Sequence, residues 1–338
     1  MKKNKTFIIA EIGPNHNGSY KRALKMIDLL AESGADAIKF QLGDPDQVYS
    51  LDAFKANYQK RNDSSKTIKA MSEKFQLSKH DHIKLSKYCK KKKIQYLCSA
   101  FDLESLKFLV DRIKVKIIKI PSGEITSIDM LKYLSKIKTK KIILSTGMST
   151  FLDIKKALKI LNFKKKEIIL LHCVSAYPAP HKNLNLHLIK ALKKNFRCEV
   201  GYSDHSNDIL ASQVAVAIGS KVIEKHVTLS KNDEGPDHKS SVEISEFKKM
   251  VSNIREIEKM FRENKKKILK IEKNTQDVSR KSLVSSIDLK KGTVMKKKFF
   301  QYKRPGTGIS PMVVNQYVGK ILIKDIKANK IFKKNYFK

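Results

Sequence analysis

The chain has 338 residues, enough for one large core or two domains, and its hydrophobic content of 41% without any Trp is that of a soluble globular protein. A formal net charge of +38 invites a nucleic-acid reading, but the lysines lie end to end in short clusters such as 90–93, 164–166 and 265–267. Lysine far outnumbers arginine, and neither a zinc knuckle nor an aromatic-interleaved RNP segment is present, so no nucleic-acid partner is expected; a field that draws anions toward a cleft is. No apolar run approaches the ~18–20 residues of a membrane span. The N-terminal apolar run is broken by Glu11, too early for a signal peptide. Four scattered cysteines (Cys89, Cys98, Cys173, Cys198) lack disulfide or metal spacing, as expected in a reducing cytoplasm.

In chain order, residues 6–13 read as a buried strand with Glu11 at its exit, followed by a PNHNG loop. Ser19 is the expected N-cap of a helix running to residue 33. DAIKFQ is the next strand, ending in Lys39 and Gln41. Residues 42–77 are polar with weak periodicity, either an elaborated β–α loop or a partly mobile one. A helix over 78–91 leads to IQYLCSAFD, a strand exiting at Ser99 and Asp102. A helix over 103–110 precedes VKIIKIPSGE, exiting at Lys119, Ser122 and Glu124. A helix near 128–137 precedes KIILSTGM, tipped by Ser145 and Thr146. A helix over 152–161 precedes EIILLHCVSAYP, tipped by Ser175 and Tyr177. A helix over 184–196 then leads to the strand CEVGYSDH, carrying Ser203, Asp204 and His205. A buried helix over 207–219 joins it to SKVIEKH, and the last helix covers 244–260.

Eight near-continuous apolar strands alternating with helices indicate a parallel sheet covered on both sides. Eight such units in about 260 residues match an α/β (β/α)8 TIM barrel. A doubly wound sheet is the alternative, less attractive because polar residues end every strand, and a barrel brings all eight ends to one mouth. His205 and His226 end neighbouring strands of one strand–helix–strand unit. They would then emerge at one rim, as two ligands of a divalent metal or as plain polar strand ends. The barrel is expected over 1–262 and a charged linker or helix end over 263–279. Residues 280–338, with short strands and Gly/Pro punctuation, form a small mostly-β module too small for comfort alone.

Taken together, AEIGPNHNGS, ADAIKFQ, KIPSGE, ILSTGM, SAYPAP, GYSDHS, EKHVTL and GPDHK resemble the sialic acid (N-acetylneuraminate) synthase family and its nonulosonate relatives. VSRKSLV…KRPGTGIS is similar to the antifreeze-like (SAF) domain that accompanies them. The resemblance covers essentially the whole chain, in order. It implies an enzyme that joins phosphoenolpyruvate to the open-chain aldehyde of an N-acetylated amino sugar, releasing phosphate.

By the same resemblance, His205 and His226 ligate Mn²⁺, Mg²⁺ or another divalent metal, and Asp204 either orients that site or caps structure. Lys39, Lys119, Ser99, Ser122, Ser145, Ser175 and Ser203 hold phosphoenolpyruvate. CSAF replaces the common STPF, with Ser99 keeping the hydroxyl, and Ser175 stands where some members carry Asn. Glu124 takes the proton-transfer role, its charged form expected to be favoured by two nearby lysines. The SGE motif points to the sialate and legionaminate branches rather than the pseudaminate branch. Glu11, Gln41, Tyr177, Asp237 and Arg304 match sugar-binding positions. Arg304 would be offered by the C-terminal module to the neighbouring subunit's barrel in a homodimer. N-acetylneuraminate from N-acetylmannosamine is the leading expectation. A legionaminate-type acid from a 2,4-diacetamido-trideoxyhexose is the near rival, and a non-catalytic carbohydrate-binding relative a distant one.

Overall fold

A computed structural model describes residues 5–137, 141–163, 167–261 and 265–338. The chain divides into two compact units, Met1–Arg262 and Glu263–Lys338. The boundary expected after residue 262 and the lysine cluster 164–166 lie outside the described residues.

The barrel of the first unit is built from β1 Phe7–Glu11, β2 Ala37–Leu42, β3 Gln95–Ala100, β4 Ile117–Ile120, β5 Lys141–Ser145, β6 Ile168–Cys173, β7 Glu199–Asp204 and β8 Val222–Thr228. They pair in sequence order, and β8 returns to pair with β1, every pairing parallel. This closure makes the sheet a (β/α)8 barrel and excludes the open doubly wound alternative. A two-residue strand, β9 Val242–Glu243, lies alongside β8.

The connecting helices are α1 Tyr20–Ala31, α2 Pro45–Val48, α3 Asn57–Asn62, α4 Ile68–Lys74, α5 Lys79–Lys91, α6 Leu103–Lys107, α7 Ile128–Lys136, α8 Phe151–Ile160, α9 His187–Phe196, α10 Leu210–Ala217 and α11 Ile244–Met260. Several starts are set locally. Ser19 accepts from the Arg22 N–H, and Ser78 with Asp81, like Thr150 with Asp153, forms a reciprocal cap. Residues 42–77, without a strong period of their own, fold as the three short helices α2–α4 rather than as an irregular loop.

Strand parity positions the site. Residues Ile8, Ile38, Ile118, Leu144, Leu170 and Ile223 face outward into the layer shared with the helices. Ile9, Ala37, Leu97, Ile117, Ile143, Ile169, Leu171 and Val222 form a separate apolar plug inside the barrel. On β7 the corresponding residue is Gly201, where a Cβ would fall 2.5 Å from Leu171 Cδ2 and 2.6 Å from the Val222 carbonyl oxygen. Only glycine fits there. Because side chains alternate along a strand, the inward residue two steps above the plug is Glu11, Lys39, Ser99, Lys119, Ser145, Cys173, Ser203 and Glu224, one from each of β1 to β8. The site floor is this ring.

The second unit opens with a 3-10 turn, Lys270–Glu272, and α12 Lys273–Ser279, where a charged linker or helix end was expected. Strands β10 Ser282–Ser285 and β11 Phe300–Lys303 pair antiparallel. Isolated bridges such as Leu289 to Ile326 and Val294 to Ile321 extend the β character. Its core is Leu283, Leu289, Met295, Phe300, Ile309, Leu322, Ile326 and Phe332.

Candidate active site

Across the floor the charges alternate. Lys39 Nζ lies 2.8 Å from Glu11 Oε2 and 3.7 Å from Glu224 Oε1, and donates to Ser99 Oγ at 3.1 Å. Lys119 Nζ donates to Ser145 Oγ at 2.8 Å and lies 3.6 Å from the same Glu224 oxygen. Ser203 Oγ donates to that oxygen at 3.0 Å. All of these side chains are buried. Burial works against charge on Lys39, yet Glu11 and Glu224 outweigh it and raise its pKa. For Lys119 burial wins over Glu224 and lowers it. Burial pushes Glu11 up to about 7 despite Lys39, whereas for Glu224 the two lysines overcome burial and hold its carboxyl below the ordinary value. Glu224 is the residue that motif reading passed over. It sits inside the strand VIEKHVT, where only the inward parity shared with Ser203 and Lys119 marks it.

The two expected metal ligands meet above the floor, their ring centroids 5.4 Å apart. His205 Nδ1 donates to the Val174 carbonyl at 2.8 Å, which fixes the tautomer and leaves Nε2 as a lone pair. That nitrogen accepts from Tyr177 Oη at 3.3 Å and lies 3.5 Å from Ser203 Oγ, whose proton goes to Glu224. His226 Nδ1 makes no hydrogen bond within the described residues and lies 3.5 Å from Asp237 Oδ2. Burial pushes His205 down to about 4 and His226 well below the ordinary value, so both are neutral donors. Among the described residues no group of three or more His, Cys, Asp or Glu is gathered to hold a metal ion. Two neutral imidazoles suit an ion whose other positions are left to substrate and water. Asp204 has the opposite parity to Ser203 and His205. It pairs with Lys225 at 3.1 Å and accepts from Ser206 and Ser212, so it braces structure and does not face the site.

Ser122 and Ser175 meet around Gly147, whose Cβ, if present, would fall 2.3 Å from Ser175 Oγ, 2.8 Å from Cys173 Sγ and 2.9 Å from Ser122 Oγ. The bare backbone lets the Gly147 N–H donate to Ser122 Oγ at 3.0 Å. This niche adjoins Lys119 through Cys173, which hydrogen-bonds with Ser122 at 3.1 Å. Glu124 departs from expectation. It stands in a 3-10 turn, Ser122–Thr126, beyond β4, and accepts from Ser127 Oγ. Burial, with Asp129 and Asp102 nearby, raises its pKa. Lysines do not hold it charged, because the turn carries it off the strand whose parity aims Lys119 inward.

Gln41 Nε2 donates to Glu11 Oε1 at 2.8 Å. Gln41, Tyr177, His226 and Asp237 line one cavity of about 220 Å³. Burial, then Glu11, pushes Asp237 up to about 7. The cavity's other wall comes from α2–α4 and their flanks: Val48, Tyr49, Tyr58, Met71, Phe75. Tyr58 stacks on Tyr177 at 4.8 Å, and Tyr177 on His205 at 4.3 Å. Long-range bonds tie this segment to the loop after β8: Gly235 N–H to the Asn62 carbonyl, Asn62 Nδ2 to the Pro236 carbonyl, and Lys74 to Glu234. Arg304 belongs to the second unit, where it is exposed beside β11.

Residues 26–266 match the model of the NeuB family. The chain is 44% identical to the N,N'-diacetyllegionaminic acid synthase of Campylobacter jejuni, over 97% of this chain and 99% of that protein. It is 38% identical to the synthase of the same name from Legionella pneumophila, over 95% of this chain and 92% of that one. Among solved structures, the N-acetylneuraminic acid synthetase of Leptospira borgpetersenii superposes with a TM-score of 0.70 at 34% identity, over 80% of this chain and 90% of that chain. The chain belongs to the NeuB family, the nonulosonate synthases.

Proposed function

We propose that the chain joins phosphoenolpyruvate to the open-chain aldehyde of a 2,4-diacetamido-trideoxyhexose, giving N,N'-diacetyllegionaminate and phosphate. Family membership makes it a phosphoenolpyruvate-dependent, carbon–carbon bond-forming transferase. Motif reading put N-acetylneuraminate first. The relatives named for legionaminic acid, at 44% and 38% identity, stand nearer than the sialic acid synthetase at 34%, and this reverses the order.

The observation that carries the condensing chemistry is the pair of buried lysines, Lys39 and Lys119, set among serine hydroxyls beside two neutral histidines. Those ammonium groups, with Ser99, Ser122, Ser145, Ser175 and Ser203, would grip the carboxylate and phosphate of the enol ester. C3 of the enol forms the new bond to the aldehyde carbon. Water adds at C2, and phosphate leaves with its C–O bond, releasing the α-keto acid. Glu11, Gln41, Tyr177 and Asp237 orient the sugar. Glu124, its pKa raised by burial, exchanges a proton there. A divalent cation, Mn²⁺ or Mg²⁺, held by His205 and His226 would supply Lewis-acid polarisation of the aldehyde oxygen. Residues 280–338 are the antifreeze-like (SAF) domain in this reading, offering Arg304 to the N-acetyl group in the partner's site of a homodimer. Mixing Arg304→Ala subunits with His226→Ala subunits then restores activity that neither has alone.

The test is phosphate release from phosphoenolpyruvate with Mn²⁺, comparing the diacetamido sugar with N-acetylmannosamine. Preference for the diacetamido sugar supports the reading, and preference for N-acetylmannosamine returns the product to N-acetylneuraminate. No release with either overturns the catalytic assignment.

A further inference from the structure

The cavity is chemically two-sided. Gln41, His226, Asp237 and Tyr177 line the floor side, whereas Val48, Met71, Phe75 and Phe101 present hydrocarbon opposite, interspersed with Tyr49, Tyr58, Gln59, Ser72 and Gln76. Gly43 lets this wall close up: a Cβ there would meet Phe101 Cβ at 3.0 Å and Val48 Cγ2 at 3.3 Å. Met71 and Phe75 are each only 5% exposed, although they stand on a short helix and its end whose neighbours mostly face solvent. Neither joins the apolar layer between strands and helices. Their burial serves the cavity, not the core.

A wall of this kind distinguishes sugars by their substituents. A hydroxyl pressed against Val48, Met71 and Phe75 loses its hydrogen bonds to water and gains none from those three side chains. A methyl group or the methyl end of an acetamide gains contact instead. We infer that the α2–α4 segment selects the sugar, with Val48, Met71, Phe75 and Phe101 packing against the deoxygenated C6 methyl and the C4 acetamido methyl of the acceptor. This rests on the function proposed above, and it assigns the choice of acceptor to residues outside the phosphoenolpyruvate grip.

The experiment is kcat/KM for both sugars in the full-length enzyme with Mn²⁺, for the wild type, Met71→Gln and Met71→Leu. Met71→Gln keeps the chain length and puts an amide on the wall. It should lower kcat/KM for the diacetamido sugar about tenfold while changing that for N-acetylmannosamine little, with KM for phosphoenolpyruvate unmoved. Met71→Leu should keep the wild-type preference. Val48→Thr, isosteric and at a half-buried position, reads the same wall if Met71→Gln does not fold. Equal loss with both sugars, in a wild type that prefers the diacetamido sugar, overturns the wall and leaves the function standing. A wild type that prefers N-acetylmannosamine, or uses neither sugar, overturns both, and that failure is read before any variant is made.

Discussion

Glu224 places one carboxylate oxygen between two ammonium groups, 3.7 Å from Lys39 and 3.6 Å from Lys119. Replacing it by Gln leaves those buried cations with one counter-charge fewer, and breaking such a set costs about 3–5 kcal/mol. Glu224→Gln should therefore lower the thermal midpoint. Phosphoenolpyruvate, which brings its own negative charge, should raise the midpoint more in the variant than in the wild type. Equal ligand-induced shifts in the two proteins would show that the anion does not sit against these lysines. Motif reading found the lysines because an ammonium ending an apolar strand must point somewhere polar. It missed Glu224 because EKH reads as a polar exit, while parity puts Glu224 and His226 inside and Lys225 outside. It also misjudged the charge balance at Glu124, since a 3-10 turn beyond β4 has no strand parity to inherit.

At the scale of elements, α2–α4 hold together through charge more than through propensity. The Lys55 ammonium, itself buried, donates to the Asp63 carbonyl, to Asp63 Oδ1 and to the Ser65 carbonyl, and Lys74 reaches Asp63 Oδ2 at 3.2 Å. Asp63→Asn should raise KM for the sugar several-fold more than KM for phosphoenolpyruvate and speed proteolysis within residues 42–77, leaving the barrel's circular dichroism unchanged. Burial raises the Asp63 carboxyl, but hydrogen bonds from Lys55 and Ser65 outweigh it and the net shift is downward. A depressed acid stabilises above its unfolded pKa, about 4, and loses that contribution as pH falls through the lower folded value. Loosening of the segment on acidification below about pH 4 should be weaker in Asp63→Asn, as followed by limited proteolysis. These contacts join residues far apart in sequence, such as Lys74 with Glu234, and that is why no period in 42–77 announced them. The eight strands were legible for the converse reason: each buries a run of apolar residues set by its own sequence.

For the whole molecule, the formal net charge is +38, and one of the two substrates is an anion. Added salt should lower kcat/KM for phosphoenolpyruvate and leave that for the uncharged sugar nearly unmoved, because screening acts on steering of charge. Parallel declines for both substrates would remove the field from the account. No helix among the described residues is long and apolar enough to cross a membrane.

The alternating floor, Glu11 then Lys39 then Glu224 then Lys119, has a thermodynamic consequence. Its two cations already face the Glu224 carboxylate and Glu11, whose pKa is pushed up to about 7, so an arriving carboxylate and phosphate tip the chamber to a negative excess in a region sealed from solvent. A divalent cation between His205 and His226 would restore the balance. The two ligands should then be linked: by reciprocity, whatever factor Mn²⁺ contributes to phosphoenolpyruvate affinity, phosphoenolpyruvate returns to Mn²⁺. Titration calorimetry in both orders should give one coupling factor above unity. Independent affinities would mean that the floor rearranges its own charges when the anion enters.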